Sequence, residues 1–326
     1  MSKKIKIGIL GIGAVGGYFG GYLAEAYHNS EKAEIIFITL PKAEEIIREK
    51  GLKLITPQGE RIIHSDVVVS NTDNIGTLDY LILAIKSYDL ENSLLNCKKC
   101  IGENTVILPL LNGVDAKERI LKLFPVNVVL EGCVYIVSRL IEPGVVKETG
   151  NIHTLYFGSA TASKEILLQL EQLFRNAGID THLEPDIQQS TWEKFIFISS
   201  LASLSSYYDH TVGELLEKHR EELVGTLKEI KAVADAAGIN IPGDIIETTM
   251  AKFERLPYET ISSMHSDFRR EGKTEYRSLT EYVTIMGDRL NIDTPVYDKI
   301  LADLERRVER RAWAGRQPRP SSTRRC

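Results

Sequence analysis

Residues 3–21 read KKIKIGILGIGAVGGYFGG. Ile5, Ile7, Ile9 and Leu10 make an apolar run of strand length, and the chain breaks at Gly11. Residues 18–27 then continue with helix-compatible, mostly apolar side chains. Gly11, Gly13 and Gly16 have G-x-G-x-x-G spacing between a strand and a helix, and there each glycine has a task. Gly11 makes the tight bend, Gly13 lets the backbone approach a pyrophosphate, and Gly16 lets the helix pack closely on its strand. The helix starts through Ala14 and Val15, where unpaired N–H groups and a partial positive charge suit phosphate. The expectation is a dinucleotide held by Gly11, Gly13, Ala14, Val15 and Gly16.

Working outward, residues 34–39 (EIIFIT) predict a second strand, and its end is where the adenosine ribose of a dinucleotide lies. A carboxylate there favours NAD and a cation favours the 2′-phosphate of NADP. This chain has Thr39, Leu40, Pro41 and Lys42, so the pattern leans to NADP(H), with Lys42 as the nearby cation. Residues 52–55 and 61–69 predict a hairpin around Pro57-Gln58-Gly59. Residues 80–85 and 105–111 are apolar runs of buried parallel-strand type, ending at Lys86 and at Asn112-Gly113. Ligands bind at such strand ends in an open α/β sheet, which makes Lys86 and Asn112 candidate cofactor contacts.

Residues 126–130 and 134–137 continue the strand pattern, 154–157 read as the last strand, and 164–177 as an amphipathic helix. Strands and helices alternate to about residue 185, the pattern of a doubly wound Rossmann-type domain. Past 186 the pattern is helical, with segments at 192–207, 214–237, 244–254 and 275–290. The expected organisation is an α/β dinucleotide domain over 1–185 and a mainly α-helical substrate or dimerisation domain over 186–305. From Arg306 the chain is arginine-rich with little to bury, so 306–326 reads as a disordered basic tail.

A length of 326 residues favours two domains. The formal net charge of −5 argues against a general nucleic-acid or acidic-membrane partner. Neither a bilayer-length apolar run nor an export signal is visible, which points to the cytosol. Of the four cysteines, Cys97 and Cys100 form a C-x-x-C with no second ligand pair at metal spacing. They read as two thiols on a surface loop, and no metal is expected.

Several phrases match a known family. GILGIGAVGGYFGG, the AIK ending at Lys86, LNGV around Asn112 and EPGVVKETG over 142–150 recur in order. WEKFIF around Lys194, ISSMHSDFRREGKTEYRSL over 261–279 and DTPVYDKI from Asp293 follow. By these pieces the chain resembles ketopantoate reductase along nearly its whole length. The resemblance implies NADPH-dependent reduction of a small 2-keto acid, 2-dehydropantoate, to the 2-hydroxy acid pantoate, in pantothenate and coenzyme A synthesis. It implies Lys194 as general acid, Asn112 orienting it and touching the bound ligands, and Ser263 and Glu275 holding the substrate carboxylate and hydroxyl. The expected substrate site is the cleft between the two domains, and the helical second domain offers a face for a possible homodimer.

The chemistry of the residues agrees. Hydride arriving at a carbonyl carbon puts charge on oxygen, which calls for a proton donor or cation there. A lysine entering on an apolar helix is desolvated, which favours its neutral form. The chain departs from the family at Leu40, where an arginine is common, at Leu111 for glutamine, and at Ile198 and Ala202 for two amides that follow the lysine. Lost amide partners weaken discrimination of a hydroxylated substrate. A reductase of another small branched 2-keto acid is therefore the alternative, followed by a nucleotide-binding sensor without turnover.

Overall fold

The computed structural model describes residues 3–314, and the chain divides into two compact units after Lys194. In the first, β1 (Ile5–Leu10) leads into α1 (Ala14–Tyr27), β2 (Ala33–Ile38), α2 (Pro41–Lys50), β3 (Leu52–Thr56), β4 (Gly59–Ile63) and β5 (Val67–Val69). There follow β6 (Tyr80–Leu83), α3 (Leu90–Asn96), β7 (Val106–Pro109), α4 (Ala116–Leu123), β8 (Glu131–Glu142), β9 (Val145–Gly158), α5 (Lys164–Asn176) and β10 (Asp180–Leu183). The helix α6 (Ile187–Tyr208) begins in this unit and carries the chain out of it.

Five strands form an all-parallel sheet in the order β5-β2-β1-β6-β7. Strand order reverses between β1 and β6, and the C-terminal ends on either side of that point carry Gly11 and Lys86. Such a reversal opens the crevice in which α/β sheets bind ligands. Strand β6, YLIL, is buried at every position because helices or strands cover both faces of a parallel sheet. On one face Leu81, Leu83, Ile107 and Leu111 pack with Leu90 and Leu94 of α3 and Ile120 of α4. On the other, Ile7, Ile9 and Phe37 pack with Tyr18, Phe19 and Leu23 of α1.

The far side of α1 is covered by a second sheet rather than by water. Its order is β10-β9-β3-β4, with β8 also paired to β9. Helix α1 is thus apolar almost all round, as a helix packed on two sides must be. This sheet corrects two sequence expectations. β3 and β4 do form a hairpin, but β5 leaves it and joins β2 in the parallel sheet. Residues 154–157 are not the last strand, because α5 returns the chain to β10, parallel to β9. Residues 126–130 form no strand beyond a bridge between Ile107 and Val129. Cys97 and Cys100, expected on the surface, are 2% and 0% exposed and pack in the α3–α4 core.

In the second unit α6 is followed by α7 (Val212–Lys218), α8 (Arg220–Ala236), α9 (Ile245–Glu254), α10 (Ser263–Arg269), α11 (Tyr282–Leu290) and α12 (Pro295–Ala314). A Rossmann-type parallel-sheet domain followed by a helical one is the fold class read from the sequence. The helix expected over 214–237 is two helices. Thr211 and Glu214 form a capping box that starts α7, and His219, stacked on Tyr208 at 3.5 Å between centroids, breaks the chain before α8. None of the described helices is long and apolar enough to cross a membrane.

The basic tail is corrected as far as residue 314. Helix α12 runs through Arg306, and its arginines have work inside the unit. Arg307 donates to the carbonyls of Ser206 and Tyr207 at 2.7 and 2.6 Å, and Arg311 to that of Phe268 at 2.7 Å. These are C-terminal carbonyls of α6 and α10, where a guanidinium satisfies orphan acceptors and opposes the helix dipole. The rest of the expected tail, 315–326, lies outside the described residues.

The other end of α12 is capped from α8. Pro295 opens the helix without an N–H, and Glu229 accepts from the backbone N–H of Val296 at 2.8 Å and of Tyr297 at 3.0 Å. Replacing this cap leaves two N–H donors unpaired beside a half-buried carboxylate site. Glu229→Ala is expected to lower unfolding free energy by about 2 kcal/mol, read from urea denaturation followed by circular dichroism. A change below a few tenths of that would mean that water replaces the cap.

Candidate active site

The site is built first by the glycine turn. Gly11 has φ +95°, and a Cβ there would stand 2.8 Å from the carbonyl oxygen of Ala84. A Cβ on Gly16 would lie 2.0 Å from the Gly11 carbonyl oxygen, so the helix reaches its strand only without a side chain. Gly13 differs: a Cβ there would meet nothing within 4 Å. It is the N-cap of α1, no side chain caps the helix, and the space beside Gly13 is open. That open, uncapped helix start fits a pyrophosphate.

Lys42 is exposed in the first turn of α2, beside Leu40, which is 76% exposed. Glu44, one turn into the same helix, is turned inward. It accepts from the Ser70 N–H at 2.8 Å, and its hydrogen bonds hold the carboxyl below the ordinary carboxylate range. Lys86, half-buried, follows β6 and precedes the short turn Ser87–Asp89. Asn112 follows β7, before Gly113 at φ +96°.

Lys194 is 8% exposed. Its Nζ donates to Asn112 Oδ1 at 3.2 Å, a contact between residues 82 apart in sequence. The ring of Tyr135 lies with its centroid 5.9 Å from that Nζ. Cys133 and Tyr135 share one face of β8, since side chains repeat every second residue along a strand. Burial pushes the Cys133 thiol up to about 11, so it stays neutral, and burial likewise raises the Tyr135 phenol. A hollow beside Asn112 is lined by Gly113, Val114, Lys117, Glu131, Gly132 and Thr191. Glu131 is pinned in its wall, accepting from Lys117 Nζ at 3.0 Å and from Gln188 Nε2 at 3.3 Å. Tyr135 and Glu131 escaped the sequence reading because only the twelve-residue strand β8 brings them here.

In the second unit Ser263 is exposed at the first position of α10. The cap of that helix is Ser262, whose hydroxyl accepts from the His265 N–H at 3.0 Å. Glu275 is 2% exposed and stands two residues before a π-helical turn at Arg277–Glu281. Such turns recur at functional sites. Ser199 and Ser203 on α6 hold this turn, donating to the Leu279 carbonyl and lying 2.8 Å from the Thr280 hydroxyl.

A family model described as ketopantoate reductase PanE/ApbA matches residues 7–162, and the model of its C-terminal part matches 186–307. The chain belongs to the ketopantoate reductase family. Among members and neighbours of that family it is similar to an uncharacterized oxidoreductase, YkpB, of Bacillus subtilis. The two are 26% identical, over 92% of this chain and 98% of the relative. The crystal structure of 2-dehydropantoate 2-reductase from Porphyromonas gingivalis superposes with TM-score 0.81 at 30% identity, covering 92% of this chain and 99% of that one. The fold is shared more widely: D-mandelate dehydrogenase, solved with NADH and anilino(oxo)acetate, gives 0.82 at 22% identity, over 94% of this chain and 100% of the other. Ketopantoate reductases are 2-hydroxyacid oxidoreductases. Within this ketopantoate reductase fold, the first unit brings together the glycine turn, Lys86, Asn112 and Lys194 at one end of the parallel sheet. Ser263 and Glu275 belong to the second unit.

Proposed function

We propose that this chain reduces 2-dehydropantoate to pantoate with NADPH, a step toward pantothenate and coenzyme A. The observation that carries the reading is the buried Lys194 donating to Asn112, which follows a strand of the sheet that also carries the glycine turn. When bound, NADPH supplies the hydride that forms the new C–H bond at the keto carbon. The Lys194 ammonium donates a proton from Nζ to the oxygen on which the carbonyl electron pair collects, leaving a neutral amine and the 2-hydroxy acid. Asn112 Oδ1 accepts from Nζ and so fixes where that proton points. Ser263 and Glu275 are assigned to the substrate carboxylate and its terminal hydroxyl.

Gly11, Gly13, Ala14, Val15 and Gly16 hold the pyrophosphate in this reading, with Lys86 and Asn112 nearer the reacting end. Lys42 takes the 2′-phosphate. It is supported by its exposure and by the lack of a carboxylate at residues 39–42 to claim the ribose hydroxyls, while Glu44 is engaged by the Ser70 N–H. The proposal includes a cytosolic homodimer, whose mass sedimentation would read.

One observation favours a second substrate. Ile198 and Ala202 follow Lys194 at one and two helical turns, so the face of α6 beyond the lysine is apolar. A small branched 2-keto acid without the terminal hydroxyl fits such a face. Initial rates of NADPH and NADH oxidation, with ketopantoate run beside ketoisovalerate, decide between them. Faster NADPH-dependent turnover of ketopantoate supports the first reading, and faster turnover of ketoisovalerate the second. Cofactor binding with no turnover of any 2-keto acid would leave a sensor.

A further inference from the structure

One side chain joins the two turns on which Lys86 and Asn112 stand. Arg119 lies on α4, seven residues after Asn112. Its Nε and Nη2 donate to the two carboxylate oxygens of Glu91 at 2.7 and 2.8 Å, a bidentate pair. Nη2 also donates to the carbonyl of Ser87, the residue after Lys86, at 2.6 Å. Nη1 donates to Asp115 Oδ2 at 2.9 Å, three residues after Asn112. The side chains of Arg119 and Asp115 are 21% and 13% exposed and that of Glu91 44%, so the Asp115 bond is partly shielded from water while the Glu91 pair is open on its carboxylate side. One guanidinium thus fastens the turn after β6 and the start of α3 to the turn after β7.

We propose that Arg119 is a positioning residue that holds the Lys86 and Asn112 turns at the spacing a dinucleotide requires. The inference rests on the reading of Lys86 and Asn112 as cofactor contacts. The planar fork is essential to it. A lysine ammonium keeps the charge but cannot reach Glu91 in two places, Asp115 and the Ser87 carbonyl together. Loosening the two turns by a fraction of an ångström misplaces every contact they make, and small misplacements of binding groups are costly.

The test is NADPH affinity, from quenching of protein fluorescence, in Arg119→Lys, Glu91→Gln and the double variant, with Lys86→Ala and Asn112→Ala as references. Arg119→Lys is expected to weaken NADPH binding about tenfold while the keto-acid KM at saturating NADPH stays near that of the parent. The double variant is expected to be no worse than Arg119→Lys alone, because both remove the same link. A role confined to stability would lower the melting temperature and leave the affinity measured at 20 °C unchanged, which overturns the proposal. If neither reference variant weakens NADPH binding, the assignment of the crevice itself falls, and the proposal with it. If both references weaken it and Arg119→Lys does not, the crevice stands and Arg119 has no part in it.

Discussion

A Lys194→Ala enzyme is expected to reduce its keto acid about a thousandfold more slowly than the parent while still binding NADPH. The size follows from the role. Without a donor at the carbonyl oxygen, charge develops there against water or nothing, and general acids contribute factors of about a hundred to ten thousand. The loss falls on kcat, since the proton moves only as the transition state forms. Lys194→Arg keeps a positive charge but gives up its proton far less readily, so it is expected to recover little of the rate. Single-turnover mixing of enzyme and NADPH with the keto acid reads the chemical step directly. A Lys194→Ala rate within tenfold of the parent would remove the lysine from the mechanism.

The second large effect separates two glycines of one turn. In Gly16→Ala the new methyl meets the Gly11 carbonyl oxygen at 2.0 Å, and a backbone oxygen cannot step aside cheaply. The turn must reopen, at a cost of about 3 kcal/mol or more, with cofactor binding lost as a consequence. In Gly13→Ala the methyl meets no protein atom within 4 Å, and φ is −94°, which any residue adopts. Stability is therefore expected to hold while NADPH binding weakens at least tenfold, because the methyl stands where a pyrophosphate approaches. Urea denaturation and cofactor titration of both variants give the pattern. A Gly13→Ala protein that binds NADPH like the parent would mean that no dinucleotide crosses this turn.

These two sites differ in how far the sequence exposes them. The glycine turn is a local device: its spacing, its strand and its helix lie within about twenty residues, and the conformation each glycine permits is its own property. The Lys194–Asn112 pair joins residues 82 apart, and spacing by itself leaves one as a helix lysine and the other as a turn asparagine. Only the resemblance of whole phrases brought them together. Arg307 and Arg311 show the opposite failure. Their surroundings in sequence are charged and loop-like, and the carbonyls that give them a place belong to helices about a hundred and about forty residues upstream. The division at His219 and the transfer of β5 to the parallel sheet likewise depend on partners the local pattern does not name.

The π-helical turn after Glu275 bears on how this segment can change over evolution. It holds one residue more than an α-helical turn would, and its surplus is fastened by the Ser199 and Ser203 hydroxyls. Removing a single residue would let the ladder close as ordinary α-helix. A π turn and an α turn each close about one revolution, so the residues on either side of the deletion, Glu275 included, would keep their faces. A one-residue gap is thus easier to accommodate here than in a regular helix. When relatives are aligned through residues 275–282, a one-residue gap in that window is therefore expected to go with loss of the hydroxyls at positions 199 and 203 that fasten the surplus, and not with loss of the carboxylate at 275.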